Sequence, residues 1–122
     1  MKHDVRLGVV EAKFADIVWE NAPLTTRQLV NICAEEPLNW KRTTTYTVLK
    51  KCCERGIFKM ENSLVSVVMT KDEFRSIQSE HFVSDTFGGS LPAFIAAFTA
   101  RKTPTEKELA QIRRMLDAFQ EA

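Results

Sequence analysis

The chain has 122 residues, of which 44% are hydrophobic and 27% are charged, and its formal net charge is +1. A chain of this size buries roughly two thirds of its unfolded surface, so it forms one compact domain, or a small domain with an arm, without a disulfide or metal to hold it together. No apolar run reaches membrane-spanning length and the N-terminus lacks a signal-peptide core, so we expect a cytoplasmic protein without membrane insertion.

The near-neutral total conceals a basic segment. Residues 41–59 hold six basic side chains and one acidic side chain, whereas residues 61–122 hold seven basic and nine acidic ones. A locally basic segment in a near-neutral chain indicates a surface that meets a polyanion.

Three cysteines, at positions 33, 52 and 53, make an odd number with no CxxC spacing. We interpret all three as reduced thiols, with Cys33 and Cys52 as small core residues. A redox role for Cys52 and Cys53 is the alternative.

The first half of the chain predicts three helices. Residues 7–20 carry apolar side chains at helical spacing, and Thr25 with Gln28 fits a capping box that opens a second helix. A third helix is expected from about Arg42 to Arg55, ended by Gly56 in the left-handed conformation.

The third helix is predicted to have one apolar and one polar face. Its polar face carries hydroxyl and ammonium groups, which are the groups that contact phosphates and base edges, and Thr47 lies near its centre. Four threonines within residues 43–47 exceed what helix propensity favours. The predicted DNA-binding residues are Lys41, Arg42, Thr43, Thr44, Tyr46, Thr47, Lys50 and Lys51.

A short β-hairpin is predicted directly after this helix, with strands at residues 57–60 and 64–69 and a turn at 61–63. A hairpin in that place makes a winged helix-turn-helix. The expected fold is therefore mostly α-helical with a small β-hairpin, and residues 1–70 form the expected DNA-binding domain.

Residues 71–122 are predicted to form a helical dimerisation region. Thr70 with Glu73 opens a helix through about Val83, residues 91–100 are almost wholly apolar, and Pro104 precedes a last helix. Three short helices cannot bury all of this apolar surface among themselves, so we expect a symmetric dimer. The predicted interface residues are Leu91, Phe94, Ile95, Phe98, Leu109, Ile112, Leu116 and Phe119.

A set of segments follows in order along nearly the whole chain. They are Glu11 with Phe14–Trp19 in the first helix, Trp40 with Thr44, Thr47, Leu49 and Gly56 around the third, and Phe87–Leu91, Ala96–Phe98 and Thr105–Leu109 in residues 71–122, which we call the arm. In these segments the chain resembles the penicillinase repressor family of winged-helix regulators, of the BlaI/MecI type.

The resemblance implies a homodimeric repressor that binds a palindromic DNA operator. It also implies release when a membrane-bound sensor protease that detects β-lactams cleaves the arm, at a bond that corresponds here to Ala97–Phe98. Copper-responsive relatives carry a C-terminal Cys-x-Cys motif, and this chain has no cysteine after Cys53. We therefore expect no metal and no other cofactor.

The chain departs from the family pattern in four places. Tyr46 stands where an Arg is common, and Lys51-Cys52 replaces the usual Arg-Leu. The turn at residues 61–63 lacks the usual basic and glycine residues, and Ala97 replaces the usual Asn before the cleaved bond.

Two other classes of function compete with DNA binding. An enzyme is disfavoured because the sequence has no Gly-rich phosphate loop, no nucleophile elbow, no HExxH motif and no paired-cysteine site. A winged-helix protein-interaction module without sequence-specific DNA binding is the alternative, and the poorly basic turn at 61–63 favours it.

Overall fold

The computed structural model describes residues 7–121, and its helices and short antiparallel sheet confirm the expected fold class. The elements are α1 (Val9–Asn21), β1 (Leu24–Thr25), α2 (Thr26–Ala34), α3 (Arg42–Glu54), β2 (Phe58–Glu61), β3 (Leu64–Val67), α4 (Lys71–Phe87), α5 (Leu91–Arg101) and α6 (Glu106–Glu121). None of the helices between residues 7 and 121 is long and apolar enough to cross a bilayer.

Local side-chain chemistry sets the start of α2. The Thr25 hydroxyl accepts from the Gln28 backbone N–H at 3.1 Å, and the Gln28 side chain accepts from the Thr25 N–H at 2.8 Å. The predicted capping box is thus confirmed, with two backbone donors satisfied reciprocally. At the start of α4 the structure shows one of the two hydrogen bonds of a capping box: the Thr70 hydroxyl accepts from the Glu73 backbone N–H at 3.1 Å.

The end of α3 is also set locally. Gly56 has φ of +80°, its N–H bonds to the Cys53 carbonyl at 3.0 Å, and the Ile57 N–H bonds to the Cys52 carbonyl at 3.1 Å. This pair of bonds closes the helix in the Schellman arrangement, which confirms the predicted left-handed cap.

The sheet has three strands in the order β1-β3-β2, all antiparallel. The predicted hairpin is observed. Its first strand begins and ends one residue later than expected, and its second strand ends at Val67 and not at residue 69. The sequence did not predict β1. Asn62 and Ser63, with φ of 52° and 63°, make the two-residue turn between β2 and β3.

One hydrophobic core lies under α1, α2, α3 and the sheet. Its most deeply buried apolar side chains are Phe14, Ala15, Val18, Leu29, Cys33, Leu49, Cys52, Ile57, Phe58 and Val65. The expectation that Cys33 and Cys52 are core residues is therefore confirmed.

Trp19 closes the core on the side of the sheet. Its ring centroid lies 5.5 Å from those of Phe58 and Phe74, and its Nε1 donates to the Met69 carbonyl at 3.0 Å. The indole is thereby packed and satisfied, as a core tryptophan requires.

The chain divides into two compact units, one through His81 and one from Phe82 onward. The predicted fourth helix was too short, because α4 continues past Val83 to Phe87 and ends where Gly88 and Gly89 have φ of 59° and 82°. Within the second unit, Phe94 lies 5.6 Å from Phe87 and 6.0 Å from Phe82, centroid to centroid.

Candidate nucleic-acid interface

Helices α2 and α3 are joined by a turn whose backbone is held in place. The Trp40 N–H donates to the Cys33 carbonyl at 2.8 Å, and the Trp40 ring stacks on Phe14 at 5.6 Å. These contacts fix where α3 begins relative to α2 and the core, which is the requirement for a helix-turn-helix.

The two faces of α3 separate as the sequence predicted. Thr45, Val48, Leu49 and Cys52 are buried, whereas Thr43, Thr44, Thr47, Lys50 and Lys51 are exposed. Lys41 and Arg42 at the start of the helix are exposed, and Tyr46 is half-buried at the border. The eight predicted DNA-binding residues therefore lie on α3 and at its N-cap, Lys41. Tyr46 is the one among them whose side chain is partly buried.

The hydroxyl of Thr47 is already oriented. Its Oγ1 donates to the Thr43 carbonyl at 2.9 Å, so its hydrogen is used within the helix. What remains for a ligand is the oxygen's acceptor capacity and the methyl group. Such a side chain can accept from a base amino group or pack on a thymine methyl.

Tyr46 is positioned by neighbours on two helices. The Arg42 guanidinium lies 5.5 Å from the centre of its ring, a cation–π distance. A hydrogen bond with the Thr26 side chain, and secondarily the Arg42 guanidinium, lower the pKa of the Tyr46 hydroxyl despite the opposing effect of desolvation. Tyr46 thus links α3 to the first turn of α2.

An open cavity of about 470 Å³ lies beside this pair. It is lined by Thr26, Arg27, Val30, Asn31, Arg42, Tyr46 and Ser63. The sequence singled out Arg42 and Tyr46 but missed the other five, because they come from α2 and from the turn of the hairpin. We call this cavity the arginine pocket.

The hairpin that corresponds to the wing carries little positive charge. Its turn, residues 61–64, is Glu-Asn-Ser-Leu, and the nearest basic residue is the exposed Lys59. The side chains of Met60 and Leu64 are 47% and 45% exposed. This surface offers apolar contacts more than phosphate contacts.

Cys33 and Cys52 are buried, and Cys53 is half-buried. Burial raises the pKa of the Cys52 thiol to about 12, and the Glu11 carboxylate contributes in the same direction. Burial likewise raises the pKa of Cys33 and that of Cys53. Among residues 7–121 there is no group of three or more metal-ligating side chains that would hold an ion.

The arm presents most of the predicted dimerisation residues to solvent. No side chain of α5 or α6 is buried. On α5 and α6, the large apolar side chains that are at least one third exposed are Leu91, Ile95, Phe98, Leu109, Ile112, Met115, Leu116 and Phe119. Phe94 is half-buried among neighbouring aromatic rings of its own unit.

The bond between Ala97 and Phe98 lies in the middle of α5, and both residues are exposed. The Phe98 ring is tilted against Phe94, with centroids 6.2 Å apart. The backbone at this bond is helical.

The chain matches the model of the penicillinase repressor family over residues 7–118. A search of curated proteins finds no match. The matched range includes the helix-turn-helix, the hairpin and nearly all of the arm. The chain therefore belongs to the penicillinase repressor family of transcriptional repressors.

Proposed function

We propose that this protein represses transcription by binding a palindromic operator in double-stranded DNA as a homodimer. In this proposal, the exposed face of α3 lies in the major groove. Family membership supports a transcriptional repressor, and the side chains of α3 support the mode of binding.

The observation that carries the proposal is the division of α3 into two faces. Its inner face is packed into the core, whereas its outer face exposes threonine hydroxyls and lysine ammonium groups with no carboxylate at residues 41–51. The helix is thereby held rigidly while its polar face stays free. Hydroxyls and ammonium groups serve both phosphate contacts and base contacts.

The open apolar face of the arm supports dimerisation. The side chains of Leu91, Ile95, Phe98, Leu116 and Phe119 are each at least half exposed, and large exposed apolar surfaces mark sites of protein–protein contact. A second copy related by a two-fold axis covers such a face with an identical one. Two linked copies of α3 then read two half-sites about one helical turn apart.

Release by proteolysis at Ala97–Phe98 is part of the proposal. Both residues are accessible, and cleavage there would separate α6 from the DNA-binding unit. Because proteases bind extended chain, the cut requires local unfolding of α5. The inducing signal would be sensed by a membrane-bound protease.

DNA affinity measured across salt concentrations tests the proposal. Wild-type protein should lose affinity steeply with salt, and Lys51→Ala should reduce the slope by about one unit through the loss of one phosphate contact. Lys13→Ala is the control, because Lys13 is an exposed lysine on α1. Salt-independent or undetectable binding by the wild type would contradict the proposal.

A second candidate is a protein-interaction module without sequence-specific DNA binding. The exposed Met60 and Leu64 on a hairpin with an acidic, non-basic turn favour it. This candidate predicts little or no salt slope in the same titration, and loss of partner binding in Met60→Ser with Leu64→Ser.

A further inference from the structure

We propose that the arginine pocket binds a phosphate group. The pocket lies between the first turns of α2, the start of α3 and the hairpin turn. This inference rests on the proposed function where the phosphate belongs to DNA, and it extends that function to residues outside α3.

Two arginines from different helices line the pocket. Arg27 is an exposed residue of α2 and Arg42 is the first residue of α3. Among residues 7–121, neither is paired with a carboxylate. Arginine presents planar donors that match phosphate oxygens in pairs, so two arginines without a carboxylate partner in one cavity suit an oxyanion.

The other lining residues add neutral donors. Asn31, Tyr46 and Ser63 supply an amide and two hydroxyls, and within the described range of residues 7–121 no Asp or Glu lines the cavity. An anion here would thus meet donors without a competing carboxylate.

The walls of the pocket are held together before any ligand arrives. The Thr26 N–H donates to the Ser63 carbonyl at 2.9 Å, which ties the hairpin turn to the start of α2. Arg42 is held against the Tyr46 ring. Donors fixed in this way lose less conformational entropy on binding than free surface arginines do.

The volume admits more than a bare ion. About 470 Å³ falls in the range of small-molecule sites, and Val30 and the Tyr46 ring provide apolar wall. The phosphate belongs either to the backbone of bound DNA or to a small phosphorylated molecule. Both sources present phosphate oxygens to the arginines. They differ because a small phosphorylated molecule would bind the pocket in the absence of DNA.

Full-length protein with the Arg27→Gln substitution provides the test, with Arg75→Gln as the matched control. Arg75 is an exposed arginine of α4 that does not line the pocket. In the first arm, duplex DNA affinity is measured across salt concentrations. In the second, inorganic phosphate is titrated into DNA-free protein and the amide resonances of residues 26–31 and 42–46 are followed, with sodium chloride at equal ionic strength as reference.

Binding of a DNA phosphate predicts that Arg27→Gln lowers the salt slope by about one unit while Arg75→Gln leaves it unchanged. Binding of a free phosphorylated molecule predicts saturable shifts with inorganic phosphate that are lost in Arg27→Gln and kept in Arg75→Gln. The inference is overturned if Arg27→Gln behaves like Arg75→Gln in both arms.

The two proposals fail separately. If the wild type shows no salt-dependent DNA binding, the proposed repressor function fails, and the phosphate titration alone then decides the pocket. Equal dispersion of the amide spectra in the wild type and both variants establishes that a lost effect does not come from unfolding.

Discussion

The Arg55 guanidinium lies 3.0 Å from the Glu11 carboxylate, so an ion pair joins the end of α3 to α1 across 44 residues of chain. Both side chains are about one quarter exposed, at 23% and 25%. The pair therefore holds the end of α3 that lies opposite Arg42.

Glu11→Gln should lower the free energy of unfolding by about 1 kcal/mol, the upper end of the range for accessible ion pairs. The control is Asp16→Asn, which breaks the more exposed Asp16–Lys71 pair at 2.9 Å and should cost less. Chemical denaturation measures both. Equal losses in the two variants would show that the Glu11–Arg55 pair has no special role.

Thr47 should discriminate between bases through its oxygen and methyl group. Thr47→Ala, which removes both, should reduce discrimination among DNA sequences by about 1–3 kcal/mol, the scale of a good base contact. Thr47→Val keeps a methyl and removes the hydroxyl, so comparison of the two variants separates the two contributions. Competition binding with single-base variants of a bound duplex is the measurement, and unchanged discrimination in Thr47→Ala would contradict the placement of α3 in the groove.

Features that depend on a few neighbouring residues were predictable from the sequence. The Thr25–Gln28 capping box and the left-handed Gly56 need only local backbone geometry, and both are observed. The alternation of buried Val48 and Leu49 with exposed Thr47 and Lys50 follows from helical periodicity.

Features built from distant segments were not predictable. β1 has two residues and is a strand only because Leu24 and Thr25 pair with Val65 and Leu64 of β3. The arginine pocket likewise needs α2, α3 and the hairpin turn brought together. Arg27 carries no signal in the sequence that distinguishes it from any other exposed helical arginine.

The thiols should be unreactive in the folded protein. The pKa of Cys52 is about 12, compared with an ordinary value of 9.0, so almost no thiolate exists near neutral pH. A mild oxidant should therefore leave DNA affinity unchanged, and a thiol reagent should label Cys52 only after unfolding. Reversible loss of DNA binding that disappears in Cys52→Ser or Cys53→Ser would establish the redox role instead.

The same shift predicts a dependence of stability on alkaline pH. Below pH 9.0 the thiol is protonated in both states, so its contribution to stability is fully present. Between pH 9.0 and about 12 the unfolded state releases a proton that the folded state retains, so stability falls with rising pH. The free energies of unfolding of the wild type and of Cys52→Ala, measured by denaturation over this pH range, should therefore approach each other as pH rises. The reason is that the variant has no thiol to lose a proton in the unfolded state.

The arm should hold the dimer together. A chain of residues 1–97 lacks Phe98 and the apolar residues of α6, so it should sediment as a monomer. Its circular dichroism spectrum should keep the helical signal of the first unit. It should bind a duplex with two half-sites far more weakly than the full chain does. Linkage of two sites contributes on the order of 10²–10⁴ in avidity.

Within the full chain, Leu116→Glu should shift the equilibrium toward monomer, whereas Ala118→Glu, which adds the same charge on another side of α6, should not. A truncated chain that stays dimeric, or a full chain that is monomeric at micromolar concentration, would overturn this arrangement.

Selection of bound duplexes from a random-sequence library tests the central claim most directly, because it requires no knowledge of the operator. The full-length protein should enrich a two-fold symmetric sequence whose half-sites lie about 10 base pairs apart, centre to centre. Thr47→Ala should enrich the same arrangement with weaker preference inside each half-site. A library that shows no enriched sequence after selection with full-length, dimeric protein would contradict sequence-specific repression and favour the interaction module.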